Sequence, residues 1–332
     1  MDPRGRFAPS PTGPLHLGGL ATAIFAYASV KQRGGTLVLR VEDLDRPRVV
    51  AGALDDQLAD LAYVGLRFDE GPGLGGHQGP YVQSERTPLY EAVLESLGRQ
   101  GLVYACDCSR AEVRAAAALA VAAVATEASA PHAGEDGPRY SGRCRDRATT
   151  TGGEGGRPLR RAAALRLLTS SRPVTTRDRL RGELTETVEE SVGDFVLQRA
   201  DGLFAYQLAV AVDDAAMQIT EVVRGADLAS SAARQVYLMQ LLGAAPPEYL
   251  HVPLVVGEGG AKISKRDGGF AVRAYRDRGV PGPALVRAVA AAYGHPLDPR
   301  DPAPLEALAR SFDPRRWPTE AVPLDALRAS LG

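Results

Sequence analysis

Apolar and polar positions change rhythm several times along the chain, and each change predicts an element. Arg4 to Ala8 reads as a short strand. Pro9-Ser10-Pro11-Thr12-Gly13-Pro14 follows as a rigid turn, because proline fixes φ and removes a backbone donor. Behind His16 and Gly18-Gly19, Leu20, Ala23, Ile24 and Ala28 recur at helical spacing. Thr36 to Val41 is then a short apolar strand running into the acidic cluster Glu42-Asp43-Leu44-Asp45. A β-loop-α-β opening of this kind predicts a parallel sheet with helical crossovers.

Further on, Ala51 to Leu66 and Arg86 to Gln100 have the alternation of amphipathic helices, and Leu102 to Cys106 that of a strand. Ala115 to Ala130 is almost all Ala and Val, and Thr150 to Gly156 reads as a Gly/Thr linker. The sheet is expected to resume at Asp194 to Leu197 and at Phe204 to Val212, with Glu221 to Arg224 and Pro253 to Val256 as later strands and Arg234 to Leu242 as a helix. Beyond Phe270 the chain turns helical, punctuated by prolines up to Pro323, and no internal repeat is found.

Composition adds bounds. The chain has 332 residues, 45% hydrophobic and 24% charged, ordinary for a globular protein of roughly two domain-sized units. A formal net charge of -1 gives no global basic field, although Arg157, Arg160, Arg161 and Arg166 could form a basic face for nucleic acid. No apolar run approaches the roughly 20 residues of a bilayer span, and no signal-type stretch opens the chain, so a cytoplasmic location without membrane contact is expected. Three closely grouped cysteines, Cys106, Cys108 and Cys144, argue for a metal site or chance rather than a disulfide framework. Thiolates are preferred structural donors for zinc, and Tyr140, His132 or water could take the fourth corner.

Two motifs carry sharper chemistry. Arg6-Phe7-Ala8-Pro9-Ser10-Pro11-Thr12-Gly13, with His16-Leu17-Gly18-Gly19 behind it, takes a strand through a stiff loop into a helix N-terminus. Such a terminus presents backbone N–H groups and partial positive charge to a phosphate, and His16 can bond phosphate oxygens. Lys262-Ile263-Ser264-Lys265-Arg266 follows Gly257, Gly259 and Gly260. Two lysines on a glycine-flanked loop can close over a triphosphate and neutralise departing pyrophosphate.

Both motifs, in this order, resemble the HIGH-type and KMSKS-type loops of the class I glutamyl-tRNA synthetases. The resemblance runs from about Arg4 to Phe270. It implies an α/β fold with a Rossmann-type catalytic core, an inserted α/β subdomain carrying a zinc site, and a small C-terminal helical subdomain without an anticodon-binding domain. The expected division is residues 1–100 and 191–245 for the two halves of the core, 101–190 for the insertion, and 246–332 for the lysine loop and a helical stem-contact remnant. It also implies ATP as substrate, with Mg2+ on its phosphates. His16 and Lys265 would be catalytic. ATP would be held by His16, Gly18, Gly19, Lys262, Ser264 and Lys265.

A dicarboxylate substrate needs a fixed cation for each carboxylate and an acidic group for its ammonium. By resemblance the glutamate pocket comprises Arg6, Ala8, Ser10, Glu42, Tyr206 and Arg224, and arginine's bidentate fork makes lysine a poor substitute at Arg6 or Arg224. Asp213-Asp214 could pass for a metal site but are read as pocket-wall or helix-cap carboxylates.

Short paralogues of this family that modify queuosine carry Cys-x-Cys and Tyr-x-x-x-Cys, which falls on Cys106, Cys108, Tyr140 and Cys144, although here the Ala-rich stretch separates the two halves. Only Ala271 to Gly332 follow the lysine loop, which also matches that branch. The implied partners are L-glutamate and queuosine-bearing tRNA(Asp), with glutamate placed on the wobble base by a monomeric enzyme. Charging of tRNA(Glu) at its 3′ end, or a catalytically silent binding module, are the alternatives.

Overall fold

The computed structural model of the protein describes residues 2–124, 138–147, 159–257, 260, 270–329 and 331. The first strand, β1 (Arg4–Phe7), enters the proline turn and then α1 (Leu17–Gln32), and the chain returns as β2 (Thr36–Leu39), parallel to β1 and in register from Arg4↔Thr36 to Phe7↔Leu39. α1 is buried on most of its circumference, with Leu20, Ala21, Ile24, Phe25 and Ala28 all inaccessible. Its alanines allow the close approach to the sheet. Gly5 shows how close: a Cβ there would lie 2.4 Å from Val30 Cγ2.

α2 (Ala53–Tyr63) and α3 (Thr87–Arg99) follow, then β3 (Val103–Cys106) and α4 (Arg110–Val124). The Ala-rich run is therefore helical as far as Val124, in keeping with the high helix propensity of alanine. Its remainder and the Gly/Thr linker lie outside the described residues. After β4 (Ala164–Leu167) come the hairpin strands β5 (Pro173–Asp178) and β6 (Gly182–Thr187), the short α5 (Val188–Ser191), β7 (Val196–Gln198), α6 (Tyr206–Ala216), β8 (Glu221–Gly225), α7 (Ala232–Leu241), β9 (Glu248–Val252) and β10 (Val255–Val256). The last stretch holds α8 (Val272–Asp277), α9 (Gly282–Ala292), α10 (Pro304–Ser311), β11 (Val322–Pro323) and α11 (Leu324–Ala329).

Six strands form the main sheet in the order β2-β1-β8-β9-β5-β6; β2, β1, β8, β9 and β5 run parallel, and β6 returns antiparallel at the edge. A second sheet, β3-β4-β7, is antiparallel. Within residues 101–190 the β5–β6 hairpin thus joins the main sheet, whereas β7, from beyond 190, completes the small one. One core lies on the α1 face of the main sheet, and another lies beneath α3, α6 and α7 on the opposite face. The C-terminal helices belong to the first: Phe25 of α1 meets Tyr293 and Trp317 at ring-centroid distances of 4.9 Å each. Aromatic contacts of this geometry contribute about 0.5–1.5 kcal/mol beyond area burial.

The structure corrects two expected strands. Phe204 to Val212 is not strand; its apolar run forms most of α6, which is buried from Leu208 to Val212 because other elements cover it on several sides. A short continuous apolar run reads the same for a buried strand as for a buried helix. At Pro253 to Val256 the main-sheet strand lies one step upstream, in β9. Pro253 cannot donate to a ladder, and β10 pairs instead with β11.

Candidate active site

Strand order changes direction between β1 and β8, and open parallel sheets bind ligands outside the carboxyl ends of the strands at such a point. Arg6 lies on β1 and Arg224 on β8, one on each side of it. Side chains alternate along a strand. Phe7 and Val223 therefore face the α1 core, and Arg6 and Arg224 face α6 and α7.

Arg6 is buried, with Nε donating to Asp214 Oδ1 at 3.3 Å and Nη1 donating to the Val223 carbonyl at 3.3 Å. Glu42 is joined to the same network through Arg40, a fully buried residue just beyond β2. Arg40 Nη1 donates to Asp214 Oδ1 at 2.6 Å and Nη2 to Glu42 Oε1 at 3.0 Å, while its Nε stands 3.7 Å from Asp213 Oδ2. Burial pushes the Asp214 carboxyl up, but Arg40 and Arg6 outweigh it and hold it below the ordinary value. At Glu42 desolvation wins, and its carboxyl is raised despite Arg40 and Arg6.

Asp213 and Asp214 sit in the second half of α6, where neither caps the helix. Asp213 accepts from Arg86 Nε at 2.6 Å, Gln83 Nε2 at 2.8 Å and the Tyr90 hydroxyl at 2.9 Å. Asp213 is thus held by an arginine, an amide and a phenol, whereas Asp214 takes Arg6 and Arg40 on the same oxygen, Oδ1.

Tyr206 opens α6 with 37% of its surface exposed, whereas Arg6 and Arg224 are buried. Desolvation, then the charge of Glu42, raises its hydroxyl above the usual phenol value; Arg224 and Arg6 act in the opposite direction. Arg224 is held differently from Arg6. Its Nη1 donates to Gln235 Oε1 at 2.6 Å, its Nε donates to His251 Nε2 at 3.3 Å, and its guanidinium lies 4.9 Å from the Tyr249 ring centre. It has no carboxylate within ion-pair distance among the described residues, and its buried Nη2 has no hydrogen-bond partner. A buried cation in that state is complementary to an incoming anion.

Arg6, Glu42, Tyr206 and Arg224 are therefore brought to one recess. Ala8 and Ser10 lie on the loop at its edge, which Glu42 N–H ties down through the Pro9 carbonyl at 3.0 Å. Gln57 Nε2 holds that loop from below, through the carbonyls of Gly13 at 2.7 Å and Ser10 at 3.2 Å.

His16 is the N-cap of α1, its Nδ1 accepting from Gly19 N–H at 3.0 Å, which places the proton of a neutral ring on Nε2. Gly18 has a local reason beyond ligand approach: a Cβ there would stand 3.2 Å from His16 Nδ1. Lys262, Ser264 and Lys265 lie outside the described residues. The chain on either side of them is described. Ala271 bridges to His16, and Val272 N–H donates to the Leu15 carbonyl at 2.8 Å. On the approach, Val255 lies beside Gly18.

At the end of β3, Cys106 meets Cys108 and Cys144 from the adjoining loops, the three sulfurs lying within 4.8 Å of one another. The Tyr140 hydroxyl lies 3.3 Å from Cys106 Sγ and 3.9 Å from Cys108 Sγ, and accepts from Cys144 N–H at 3.1 Å. Burial and the neighbouring Cys106 push the Cys108 thiol up to about 11. These residues could hold a metal ion. Three of the arginines expected to form a basic face have partners in this subdomain: Arg160 pairs with Asp107 and Glu112, Arg161 with Glu112, and Arg166 lies 3.9 Å from the Tyr140 ring centre. Arg157 lies outside the described residues.

Sequence reasoning missed Arg40, Tyr249, His251 and Gln235. A lone arginine two positions before Glu42 in an apolar strand was a usable signal for the first. The others depend on β9 and α7 arriving at this face.

A parallel core with arginines astride its switch point, beside a histidine-capped helix, defines the class I aminoacyl-tRNA synthetase type. The family described as tRNA synthetases class I (E and Q), catalytic domain, matches residues 4–316. The chain belongs to this family and is a ligase of the glutamyl-tRNA synthetase-like type. It is 44% identical over 322 residues to the glutamyl-Q tRNA(Asp) synthetase of Burkholderia cenocepacia, covering 94% of this chain and 98% of that one. The protein of that name from Geobacter sulfurreducens is 41% identical, with 97% and 96% covered, and that from Nitratidesulfovibrio vulgaris 45%, with 84% and 82% covered. Among solved structures, a glutamate tRNA ligase from Elizabethkingia meningosepticum, in complex with its amino acid, superimposes with a TM-score of 0.79 at 29% identity, over 99% of this chain and 69% of that one. Among the described residues no helix is long and apolar enough to cross a membrane.

Proposed function

We propose that the chain activates L-glutamate with ATP and transfers it to the queuosine base at the wobble position of tRNA(Asp). The observation that carries the first step is Arg224, a buried guanidinium with no carboxylate partner among the described residues, facing a recess whose other cation, Arg6, and carboxylate, Glu42, are already fixed. In this reading Arg6 and Arg224 bind the substrate's carboxylates, Glu42 and Tyr206 its ammonium, and Ala8 and Ser10 line the edge. A glutamate carboxylate oxygen attacks the α-phosphate of ATP, the bond to the β-phosphate breaks, and pyrophosphate leaves. His16 Nε2–H, the α1 N-terminus at Gly18 and Gly19, and Lys262, Ser264 and Lys265 stabilise the charge on the phosphates. Mg2+ would accompany the ATP phosphates and screen their charge; Asp213 and Asp214, already paired with Arg86 and Arg40, are not assigned to it. A queuosine cyclopentenediol hydroxyl then attacks the adenylate carbonyl and AMP departs.

The acceptor rests on the names of the relatives and on the Cys/Tyr cluster. That cluster suits Zn2+: bonds of about 2.3 Å put tetrahedral sulfurs roughly 3.75 Å apart, and Cys108 and Cys144 stand 3.7 Å apart. Zinc there would be structural, held by Cys106, Cys108, Cys144 and Tyr140. The test is glutamylation of tRNA(Asp) with and without queuosine, with the modified nucleotide mapped. Transfer only to queuosine-bearing tRNA, retained when the 3′-terminal adenosine has been removed, supports the reading. Charging of tRNA(Glu) at its 3′ end overturns the acceptor, and absence of glutamate-dependent pyrophosphate exchange overturns the activation step.

A further inference from the structure

The shell behind Arg224 is built from groups that no part of the mechanism above uses. β8 and β9 run side by side with Arg224 and His251 in register, so their side chains emerge as neighbours on the α7 face. An arginine Nε can only donate. The His251 Nε2 that meets it at 3.3 Å must therefore accept and carry no proton. The other ring nitrogen, Nδ1, lies 2.6 Å from Asp178 Oδ2 and is the donor there. Contacts on both sides thus select one neutral tautomer.

Asp178 is fixed in its turn, because its Oδ1 accepts the backbone N–H groups of Leu180 at 2.8 Å and Arg181 at 3.0 Å. The Tyr249 ring stacks on His251 with 4° between their planes. Both His251 and Asp178 have side chains only 4% exposed.

We propose that His251, oriented by Asp178, is a positioning residue that aims the Arg224 guanidinium into the recess while leaving its charge unspent. The contrast with the neighbouring arginines carries the point. Arg6 and Arg40 lie directly against carboxylates, and their charge is committed to the wall. An aspartate in direct contact would commit Arg224 as well. A neutral imidazole and the Gln235 carbonyl hold two edges of the guanidinium without neutralising it, and Asp178 acts from one residue further back. Protonation of His251 would point Nε2–H at the Arg224 Nε–H and break the arrangement. Burial opposes that proton most, Arg224 and Arg181 oppose it too, and Asp178 favours it; the balance keeps the imidazole below its ordinary value, while the Tyr249 ring stacked on it is uncharged.

The inference rests on Arg224 binding a glutamate carboxylate, and the experiment separates the two. Glutamate-dependent pyrophosphate exchange is measured for the full chain, His251→Leu and His251→Gln, varying glutamate and ATP independently between pH 8 and pH 5. If the parent shows no exchange with glutamate, the functional reading fails before the shell is tested. With exchange established, His251→Leu should raise KM for glutamate about tenfold or more, the scale of one hydrogen bond to a charged group. KM for ATP and kcat at saturating glutamate should stay within roughly threefold. His251→Gln, whose amide oxygen can accept from Arg224 Nε, should recover most of the loss. As pH falls, KM for glutamate should rise more steeply in the parent than in His251→Gln. An unchanged glutamate KM in His251→Leu, parallel rises in both KM values, or superimposable pH profiles for the parent and His251→Gln would overturn the proposal.

Discussion

Replacing Arg224 by lysine keeps a positive charge at the end of β8 and removes the fork. In the parent, Nε and Nη1 are occupied by His251 and Gln235, and the buried Nη2 is the donor left for a ligand. Lysine has a single nitrogen on a flexible stem. It cannot satisfy His251, Gln235 and a substrate carboxylate in the directions those partners occupy. The loss is on the order of one charge-assisted hydrogen bond, about 1.5–3 kcal/mol, or roughly 10- to 150-fold in affinity at 1.4 kcal/mol per decade. Glutamate-dependent pyrophosphate exchange without tRNA reads this as a rise in KM for glutamate. KM for ATP should move little, because the proposed phosphate site, the α1 N-terminus at His16, Gly18 and Gly19, does not include Arg224. Circular dichroism at the assay temperature confirms that the variant is folded. A glutamate KM within about twofold of the parent would refute the reasoning, since the orphaned Nη2 would then not be a substrate contact.

Three further outcomes are expected. Lys265→Ala should lose about 100-fold or more in turnover, the scale of a removed transition-state donor, with unchanged circular dichroism; unaltered exchange would remove that lysine from the mechanism. The parent should bind close to one equivalent of zinc and Cys144→Ser far less, read by elemental analysis of protein passed over a chelator; equal content in both would place any bound zinc elsewhere. Asp60, buried on α2 and 2.9 Å from Arg276, has its carboxyl raised to about 6 by desolvation. A folded value above the unfolded one leaves no penalty where both states are protonated and a full penalty above the folded value. Asp60→Asn should therefore compare better with the parent at pH 7.5 than at pH 4 in thermal unfolding, with the change falling between about pH 4 and pH 6; a difference independent of pH would contradict this.

The sequence by itself determined the β-loop-α-β opening, the histidine and glycines at the start of α1, the strand that carries Arg224, and the grouping of the three cysteines. These are local matters. Proline and glycine punctuate the backbone wherever they occur, and periodicity within one short strand or helix does not depend on distant partners. The tertiary structure decided what burial from several sides disguises. α6 has no polar face to mark its period over Leu208–Val212, so it reads as strand until α3 and α7 are seen packed around it. That Asp107, Glu112 and the Tyr140 ring lie beside three of the four arginines near the insertion was likewise invisible in the sequence. Arg6 and Arg224 were legible as a pair of cations, but their difference was not. One lies against Asp214 and the other against a histidine, because α6 delivers a carboxylate to the first and β9 an imidazole to the second. Which charge is spent and which is kept for a ligand follows from that long-range packing, since an ion's partner depends on distance in space and not on separation along the chain.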